Sequence, residues 1–265
     1  MSELFLELFS EEIPSELQKN AREGILKLFT ESFDKLDINF KSKKSYSTPK
    51  RLVFFFEGIP EKIEKKGMTI KGPKVDAPTI ALEGFIKSNN INRAEVFEQS
   101  IEKGRFFFAK ISPKIILVKQ ELAKIIPDIL NKYSWKKSMR WADHSLAWGR
   151  PLKSILALLD NQVIQFSFHH LLSNNLTFSD EIIEEGQKKI KNFTSYLKLL
   201  DRKKIILDQN LRKQLIVKQI DKVCRTRKLK KKLNEKLLDE VVDLVEKPNV
   251  LVGKFNVSFL NIPKE

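Results

Sequence analysis

The spacing of apolar residues changes near residue 180, and this change constrains the fold more than any other feature of the sequence. Before it, short strand-like runs such as 3–9 and 51–57 alternate with helical patterns and are separated by turn residues. After it, apolar residues recur mainly at the spacing of amphipathic helices. The sequence therefore predicts an α+β fold, with a mixed strand and helix domain with antiparallel hairpins over residues 1–172 and a mostly helical, lysine-rich segment over residues 173–265.

Local patterns predict the individual elements. Residues 3–9 predict a buried strand, and Ser15 is the predicted cap of a helix that runs to about Leu36. Two hairpins are predicted, one joining 96–101 to 105–111 and one joining 152–159 to 163–168, although 152–159 also fits a helix. The other predictions are an extended stretch at 65–71 broken by Gly72-Pro73, a helix at 78–89, a helix at 114–133 interrupted by Pro127, and an extended element at 248–252.

Charge is distributed unevenly along the chain. Lysine and arginine outnumber aspartate and glutamate by 49 to 34, a formal net charge of +15. Residues 187–236 contain 18 basic and 4 acidic residues, whereas the rest of the chain contains 31 and 30. Such a basic stripe is typical of polyanion binders, so it is a candidate nucleic-acid contact. A solvated charged face, in a chain that favours lysine, is the alternative.

Two clusters within the chain are candidate RNA-binding sites. The first lies where all three tryptophans fall within fourteen positions, and consists of Lys136, Lys137, Arg140 and Trp141. The second is predicted to crowd one short helix, and consists of Arg225, Arg227, Lys228, Lys230, Lys231 and Lys232. Cations and flat rings suit the phosphates and unpaired bases of RNA. A packing corner anchored by the tryptophans is the alternative for the first cluster, and simple screening by water for the second.

The sequence meets no template for catalysis or metal binding. Residues 67–74 have the glycine spacing of a phosphate-binding loop, but Pro73 occupies the position of its lysine. His169 and His170 are neighbours on a predicted strand and would point to opposite faces, and His144 has no partner at ligand spacing. We therefore predict no catalytic residue and no metal site.

The remaining features favour a cytoplasmic protein with no membrane partner. Cys224 is the single cysteine, which excludes an intrachain disulfide and fits a reducing compartment. No apolar run approaches the ~18 residues of a membrane span. The first residues also lack the basic region and apolar core of a secretory signal.

Short motifs along the chain resemble, in the same order, those of one known family. They are Leu6–Pro14 (LELFSEEIP), Thr48–Leu52 (TPKRL), Lys71-Gly72-Pro73 with Ala81 and Gly84-Phe85, Lys137–Trp141 (KSMRW), Arg150-Pro151-Leu152, Leu244–Pro248 (LVEKP), and Phe259-Leu260 with Ile262-Pro263. Each motif is short, but the ordered set is specific. The chain resembles the N-terminal portion of the β subunit of the bacterial two-subunit glycyl-tRNA synthetase.

This resemblance implies a place in an α2β2 glycine–tRNA ligase of the cytoplasm. In that family the α subunit holds the site for glycine and uses ATP and Mg, while the β subunit binds and positions tRNA(Gly). The implied function is therefore tRNA binding and assembly with the α subunit, with no cofactor bound by this chain and no catalytic residue carried over. The alternative is an assembly module with no direct RNA contact. A free-standing hydrolase has no recognisable site to support it.

The sequence departs from the family pattern in two places. The family has a T.GHRF segment, whereas Thr177–Ile182 reads TFSDEI, so the role of the loop at Ser179–Ile182 is left open. The family also continues into an HD-type domain and an anticodon-binding domain, both absent from these 265 residues. From the resemblance we expect the sequence to be a fragment or a shortened copy, and we do not expect it to read an anticodon.

Overall fold

A computed structural model describes residues 2–65, 67–179 and 187–261. The chain divides into two compact units, a larger one of residues 1–59 with 122–265 and a smaller one of residues 60–121. The α+β class is confirmed, since the described residues form six α-helices and several antiparallel sheets. Within those residues no helix is long and apolar enough to cross a bilayer.

The strands are β1 Ser2–Ser10, β2 Ser42–Thr48, β3 Arg51–Ile59, β4 Lys62–Lys65, β5 Met68–Lys74, β6 Val96–Ile101, β7 Gly104–Ile111, β8 Lys114–Leu117, β9 Leu152–Leu159, β10 Gln162–Val163, β11 Ser167–Phe168, β12 Leu171–Asn174, β13 Leu176–Phe178 and β14 Gln187–Lys189. The helices are α1 Ser15–Leu36, α2 Thr79–Asn89, α3 Val118–Lys132, α4 Phe193–Arg202, α5 Gln209–Arg227 and α6 Glu235–Leu244. Short 3₁₀ turns occupy Arg93–Glu95 and Val257–Asn261.

The main sheet of the larger unit has the order β11-β12-β9-β1-β3-β2, with β10 also paired to β9. Strand β1 is antiparallel to both of its neighbours, so that Leu4 lies opposite Phe56 on one side and Leu159 on the other. Strand β12 is parallel to β9. Because β1 is buried along nearly all of its length, apolar residues occupy both of its faces between Leu4 and Phe9, and Glu7 is the exception.

A helix covers each face of this sheet. On one face the ring of Phe29 in α1 lies 5.7 Å from that of Phe54 in β3. On the other face the ring of Phe193 in α4 lies 4.2 Å from that of Phe55. Successive side chains of a strand point to opposite faces, so alternate residues of β1 and β3 pack against different helices. The buried stripe of α1 consists of Leu17, Ala21, Ile25, Phe29 and Phe33.

The described residues of the smaller unit form two antiparallel sheets, helix α2 and the first turn of α3. Strand β4 pairs with β8, and β7 lies between β5 and β6. The predicted hairpin of 96–101 and 105–111 is confirmed as β6 and β7, joined at Gly104 with a positive φ of 113°. The buried side chains of the smaller unit include Leu82, Ile91 and Ala109.

The prediction of one helix over 114–133 is wrong. Residues 114–117 form β8, and α3 begins at Val118 and continues without a break through Pro127. The β-branched pair in β8 suits a strand, and the missing hydrogen bond at Pro127 is offset by the fully buried apolar face of α3. That face consists of Val118, Leu122, Ile126, Ile129 and Leu130.

Other predicted elements also differ from the structure. The N-cap of α1 is Pro14, and Ser15 is the first helical residue. Strand β5 continues through Gly72-Pro73 with a register shift, which is possible because β5 is an edge strand. Residues 152–159 are a strand, but the returning strand β10 is only two residues long. Residues 248–252 form no strand.

The predicted division between residues 172 and 173 lies inside the larger unit. One buried cluster combines Phe5, Phe55 and Leu156 with Phe193 and Tyr196 from beyond that point. Residues on both sides of the predicted division therefore share one core.

Candidate nucleic-acid interface

The second predicted cluster lies at the end of α5 and just after it, and residues 225–232 are called the basic segment below. All six of its basic side chains are exposed. Helix α5 ends at Arg227, and Lys228 has a left-handed backbone with φ of 51°. The prediction of one short helix is therefore wrong for Lys230, Lys231 and Lys232. Ending the helix here avoids placing like charges three and four residues apart on one face.

The structure shows why this segment tolerates so many cations. Arg225 and Arg227 lie in the last turn of α5, where cations interact favourably with the exposed carbonyl end of a helix. Lys231 forms an ion pair with Asp221. Over the ranges that the structure describes, Arg227, Lys228, Lys230 and Lys232 form no ion pair, so their charges face solvent. They are available to a polyanion.

The first predicted cluster lies in the irregular stretch between α3 and β9. The side chains of Lys136, Lys137 and Arg140 are exposed, and Trp141 is half-buried. The Nζ atom of Lys137 donates to Oε1 of Glu16 at 2.8 Å, and this hydrogen bond lowers the pKa of the Glu16 carboxyl. One of the three cations is thus already partnered by α1.

The tryptophans divide between packing and exposure. The rings of Trp135 and Trp148 lie 5.0 Å apart, edge to face, and Trp148 is fully buried. A Cβ on Gly149 would lie only 2.4 Å from the ring of Trp135, so any larger residue there would displace that ring. These two rings anchor a packing corner, as the alternative interpretation expected. Trp141 lies outside this pair and remains partly exposed.

The histidines are close together, contrary to the sequence-based interpretation. The rings of His144 and His170 stack in parallel with centroids 3.5 Å apart, and Trp141 lies 5.8 Å from His170. Partial burial and the neighbouring His144 lower the pKa of His170. His169 lies in a turn rather than on a strand. Among the described residues, no group of three or more histidine, cysteine or acidic side chains is arranged to hold a metal ion.

The sequence did not reveal a set of charged and polar side chains buried between the main sheet and α4. This set is called the buried charged centre below, and it consists of Glu7, Arg51, Glu246, Thr177 and Tyr196. Thr177 donates to Oε1 of Glu7 at 2.6 Å, and the Tyr196 hydroxyl donates to Oε2. The Nη1 atom of Arg51 lies 3.7 Å from Glu7, and its Nε lies 3.1 Å from Glu246. These contacts hold α4, through Tyr196, and the segment after α6, through Glu246, against the main sheet.

Burial and the charge of the ion-pair partner act in opposite directions on the pKa values of Glu7 and Arg51. Burial raises the pKa of Glu7 above its ordinary value, although the charge of Arg51 and two hydrogen bonds oppose the rise. Burial alone would lower the pKa of Arg51, but Glu246 and Glu7 hold it above its ordinary value. The pKa of Tyr196 is raised by burial and by the nearby Glu7. Arg51 is also held by the Phe178 carbonyl, 2.7 Å from Nη2.

A second buried arginine, Arg212, joins three distant parts of the larger unit. Its guanidinium donates to the carbonyl oxygens of Ser47 at 2.8 Å and Val242 at 3.0 Å. It also donates to those of Ile206 at 2.7 Å and Leu207 at 2.9 Å. Burial lowers the pKa of Arg212 to about 10, so it stays charged at neutral pH. This arginine fixes α5 against β2 and α6.

Comparison with known proteins decides the family. The family model described as glycyl-tRNA synthetase beta subunit matches residues 4–265. The chain belongs to this family. It is 37% identical to the glycine–tRNA ligase beta subunit of Rickettsia felis, 36% to that of Rickettsia canadensis and 37% to that of Rickettsia typhi. Each match covers 100% of this chain and 40% of the relative, so the chain spans about two-fifths of the length of these relatives.

Several motifs that carry the family resemblance meet next to the buried charged centre. The N–H of Ile13 donates to the Pro49 carbonyl at 2.6 Å, and that of Glu11 to the Pro151 carbonyl at 2.9 Å. Thr48 Oγ1 donates to Oε1 of Glu246 at 2.6 Å. The motif segments bound a cavity of about 240 Å³. Four of the motif segments, 6–14, 48–52, 150–152 and 244–248, therefore pack together in the larger unit.

Of the segment that departs from the family pattern, Ser179–Ile182, the structure describes only Ser179. Ser179 is buried directly after β13. Residues 180–182 lie outside the described residues.

Proposed function

We propose that this chain serves glycyl-tRNA synthesis as part of a β subunit, by binding and positioning tRNA(Gly) and by assembling with a catalytic α subunit. The exposed basic segment carries the RNA-binding part of this proposal, because six basic residues within eight positions lie at the surface and only Lys231 has an ion-pair partner there among the described residues. These side chains would displace the cations condensed on the RNA phosphates. The cluster at Lys136, Lys137, Arg140 and Trp141 is proposed as a weaker contact, since Lys137 is held by Glu16.

The family membership supports the division of labour. The relatives are named beta subunits, which implies an alpha partner for them. By analogy, we assign binding of ATP and Mg to that partner, with no cofactor on this chain, in a cytoplasmic α2β2 assembly. In the described part of this chain the buried charged centre has internal partners, since Thr177 and Tyr196 donate to Glu7 and Arg51 pairs with Glu246.

The second candidate function is an assembly module with no direct RNA contact. It is favoured by apolar side chains that are left exposed near the end of the described residues. Leu251 is 83% exposed, Phe255 69% and Val257 73%. Single exposed apolar residues are ordinary, but several within seven positions are typical of a surface that another protein covers.

Charge reversal in the basic segment tests the proposal. We expect the combined variant Arg227→Glu, Lys228→Glu, Lys230→Glu and Lys231→Glu to lose more than about tenfold in affinity for tRNA(Gly) at low salt. Its log–log salt slope should fall by roughly 3 to 4, at about 0.9 per phosphate contact. Filter binding of the full chain to tRNA over a salt series measures both quantities.

A matched control separates specific contact from net charge. Lys19, Lys35, Lys41 and Lys44 are also exposed and lie in the same unit, so changing all four to Glu alters the net charge equally. This variant should keep most of the affinity. Equal losses in the two variants would contradict a localised site. Retained tRNA binding with loss of α-subunit pull-down would favour the assembly module instead.

A further inference from the structure

The three-stranded sheet of the smaller unit has one covered and one open face. Helix α2 packs against β5, where a Cβ on Gly72 would lie 2.9 Å from the ring of Phe85. Ala109 in the central strand β7 is fully buried, and its register partners Ile70 and Val96 are half-buried. Alternate residues of the strands therefore point away from α2.

The open face presents three phenylalanine rings. Phe97 in β6 lies directly opposite Phe108 in β7, and their rings stack at 6.1 Å with an angle of 25°. Phe106 lies two residues before Phe108 and so shares its face. Phe97 is 42% exposed, and the other two rings are half-buried. Rings of this size usually lie in a core, so their position at a surface calls for an explanation.

Lysines surround the rings. The Nζ atom of Lys71 lies 3.6 Å from the centroid of Phe106, and that of Lys74 lies 5.9 Å from it. Lys110 lies two residues after Phe108 in β7, so it is on the same face, and it is exposed. The open face thus combines aromatic rings with at least three cations.

No acidic residue of these strands, all of whose residues are described, lies on the open face. Their one acidic residue is Glu98, which pairs with Phe107 in the register and therefore points to the α2 side. There it forms an ion pair with Arg105. The open face is positively charged and lacks an internal counterion from its own strands.

These properties identify the kind of partner. Exposed rings on an open sheet stack on the faces of unpaired bases, and lysines beside them neutralise phosphates. A double helix does not fit, since its base faces are already stacked. An apolar protein surface would have to desolvate three lysines without supplying a counterion.

We infer that this open face binds an unpaired stretch of RNA. Phe97, Phe106 and Phe108 stack about two or three bases, and Lys71, Lys74 and Lys110 contact the phosphates. The inference rests on the proposed function, since it names a further RNA-contacting surface, one for single strands, on a chain proposed to bind tRNA.

The test measures binding of the full chain to a fluorescent oligouridylate of about ten nucleotides and to a fully paired hairpin. Phe97→Leu and Phe108→Leu keep an apolar side chain but remove the ring. Each should weaken oligouridylate binding by between about fivefold and about 150-fold. Phe97→Tyr keeps a ring and should bind like the native chain. Lys71→Gln should lower the salt slope by about 0.7.

A matched control and a measurement on the native chain accompany the variants. Phe255 is an exposed ring of the larger unit, and Phe255→Leu should leave binding unchanged. Photocross-linking of the native chain to 4-thiouridine RNA should modify the tryptic peptide 106–110, which is bounded by Arg105 and ends in Lys110. This result does not depend on how any variant folds.

The outcomes distinguish this inference from the proposed function. If the leucine variants bind as the native chain does, or cross-links avoid 106–110, the inference is overturned, whatever the basic segment does with tRNA. If the leucine variants instead lose an α-subunit partner and keep RNA affinity, the face docks protein and the inference is again wrong. A third result is also possible, in which oligouridylate binding depends on the rings but charge reversal at 227–231 leaves tRNA affinity unchanged. This result would support RNA binding by the open face and contradict the proposed role of the basic segment.

Discussion

The buried charged centre and the basic segment both depend on cationic side chains, but they use charge in opposite ways. Arg51 in the centre is 2% exposed and is surrounded by two carboxylates, a carbonyl and the ring of Phe9 at 4.9 Å. In the basic segment Lys230 and Lys232 face solvent. Formal charge alone does not distinguish the two. Burial with matched partners makes a cation part of the fold, and exposure without them leaves it available to a ligand.

The largest test of this contrast removes Arg212, the other fully buried arginine. Arg212→Ala would leave four backbone carbonyls without their donor and open a cavity, so we expect a loss of about 4 kcal/mol or more in the free energy of unfolding. Lys218→Ala, an exposed change on the same helix, should cost less than about 0.5 kcal/mol. Urea denaturation followed by circular dichroism measures both. Similar losses in the two variants would remove the distinction between buried and exposed cations.

A loss of similar or smaller size is expected at Arg51, and a double variant should show its origin. Arg51→Met leaves the buried carboxylate of Glu7 without its cation, at a cost of about 3–5 kcal/mol. Adding Glu7→Gln removes that uncompensated charge, so the double variant should be more stable than the sum of the two single losses predicts, by at least about 1 kcal/mol. A double-mutant cycle from urea denaturation gives this coupling. Additive losses would show that the two side chains do not interact.

The pH dependence of stability reports on the same centre. The pKa of Glu7 is raised in the folded state, so the folded chain holds this proton more tightly than the unfolded chain does. The contribution is fully present below the ordinary value of 4.5 and is lost as the pH rises through the raised pKa. Within that window the native chain should lose about 1.4 kcal/mol per pH unit relative to Glu7→Gln. Parallel curves for the two proteins would contradict a raised pKa.

Local patterns predicted the parts of the fold that local physics decides. The buried strand β1, the end of α1 at Leu36 and the β6–β7 hairpin agree with the structure, because apolar spacing and a glycine turn determine them. The boundary between β8 and α3 was missed. Its apolar residues fit either element, and only pairing with β4 decides between them.

The buried charges could not be found in the same way. Arg212 occupies a core position of α5 because carbonyls from β2, from α6 and from the loop before α5 converge there, and no local pattern signals that convergence. The open aromatic face could have been found, however. Phe97 with Gln99, and Phe106 with Phe108 and Lys110, alternate within a hairpin that the sequence already predicts, and so they share one face. The density of basic residues along the sequence favoured the lysine clusters as RNA-binding candidates, and the open aromatic face was not predicted.

The smallest expected effect lies at the junction of α5 and the exposed cations. Lys228 has a left-handed backbone that glycine adopts without strain, so Lys228→Gly should raise the free energy of unfolding by roughly 0.5–1 kcal/mol. The same change removes one cation, which should lower the tRNA salt slope by about 0.9. Lys230→Gly serves as the control, because Lys230 has no positive φ. This variant should show the lower salt slope of tRNA binding without a gain in the free energy of unfolding. Urea denaturation and filter binding on the two variants separate these effects. If Lys228→Gly is more stable and binds RNA more weakly, Lys228 contributes its charge to RNA binding at a cost to the stability of the fold. If the salt slope is unchanged, this exposed cation contacts no phosphate.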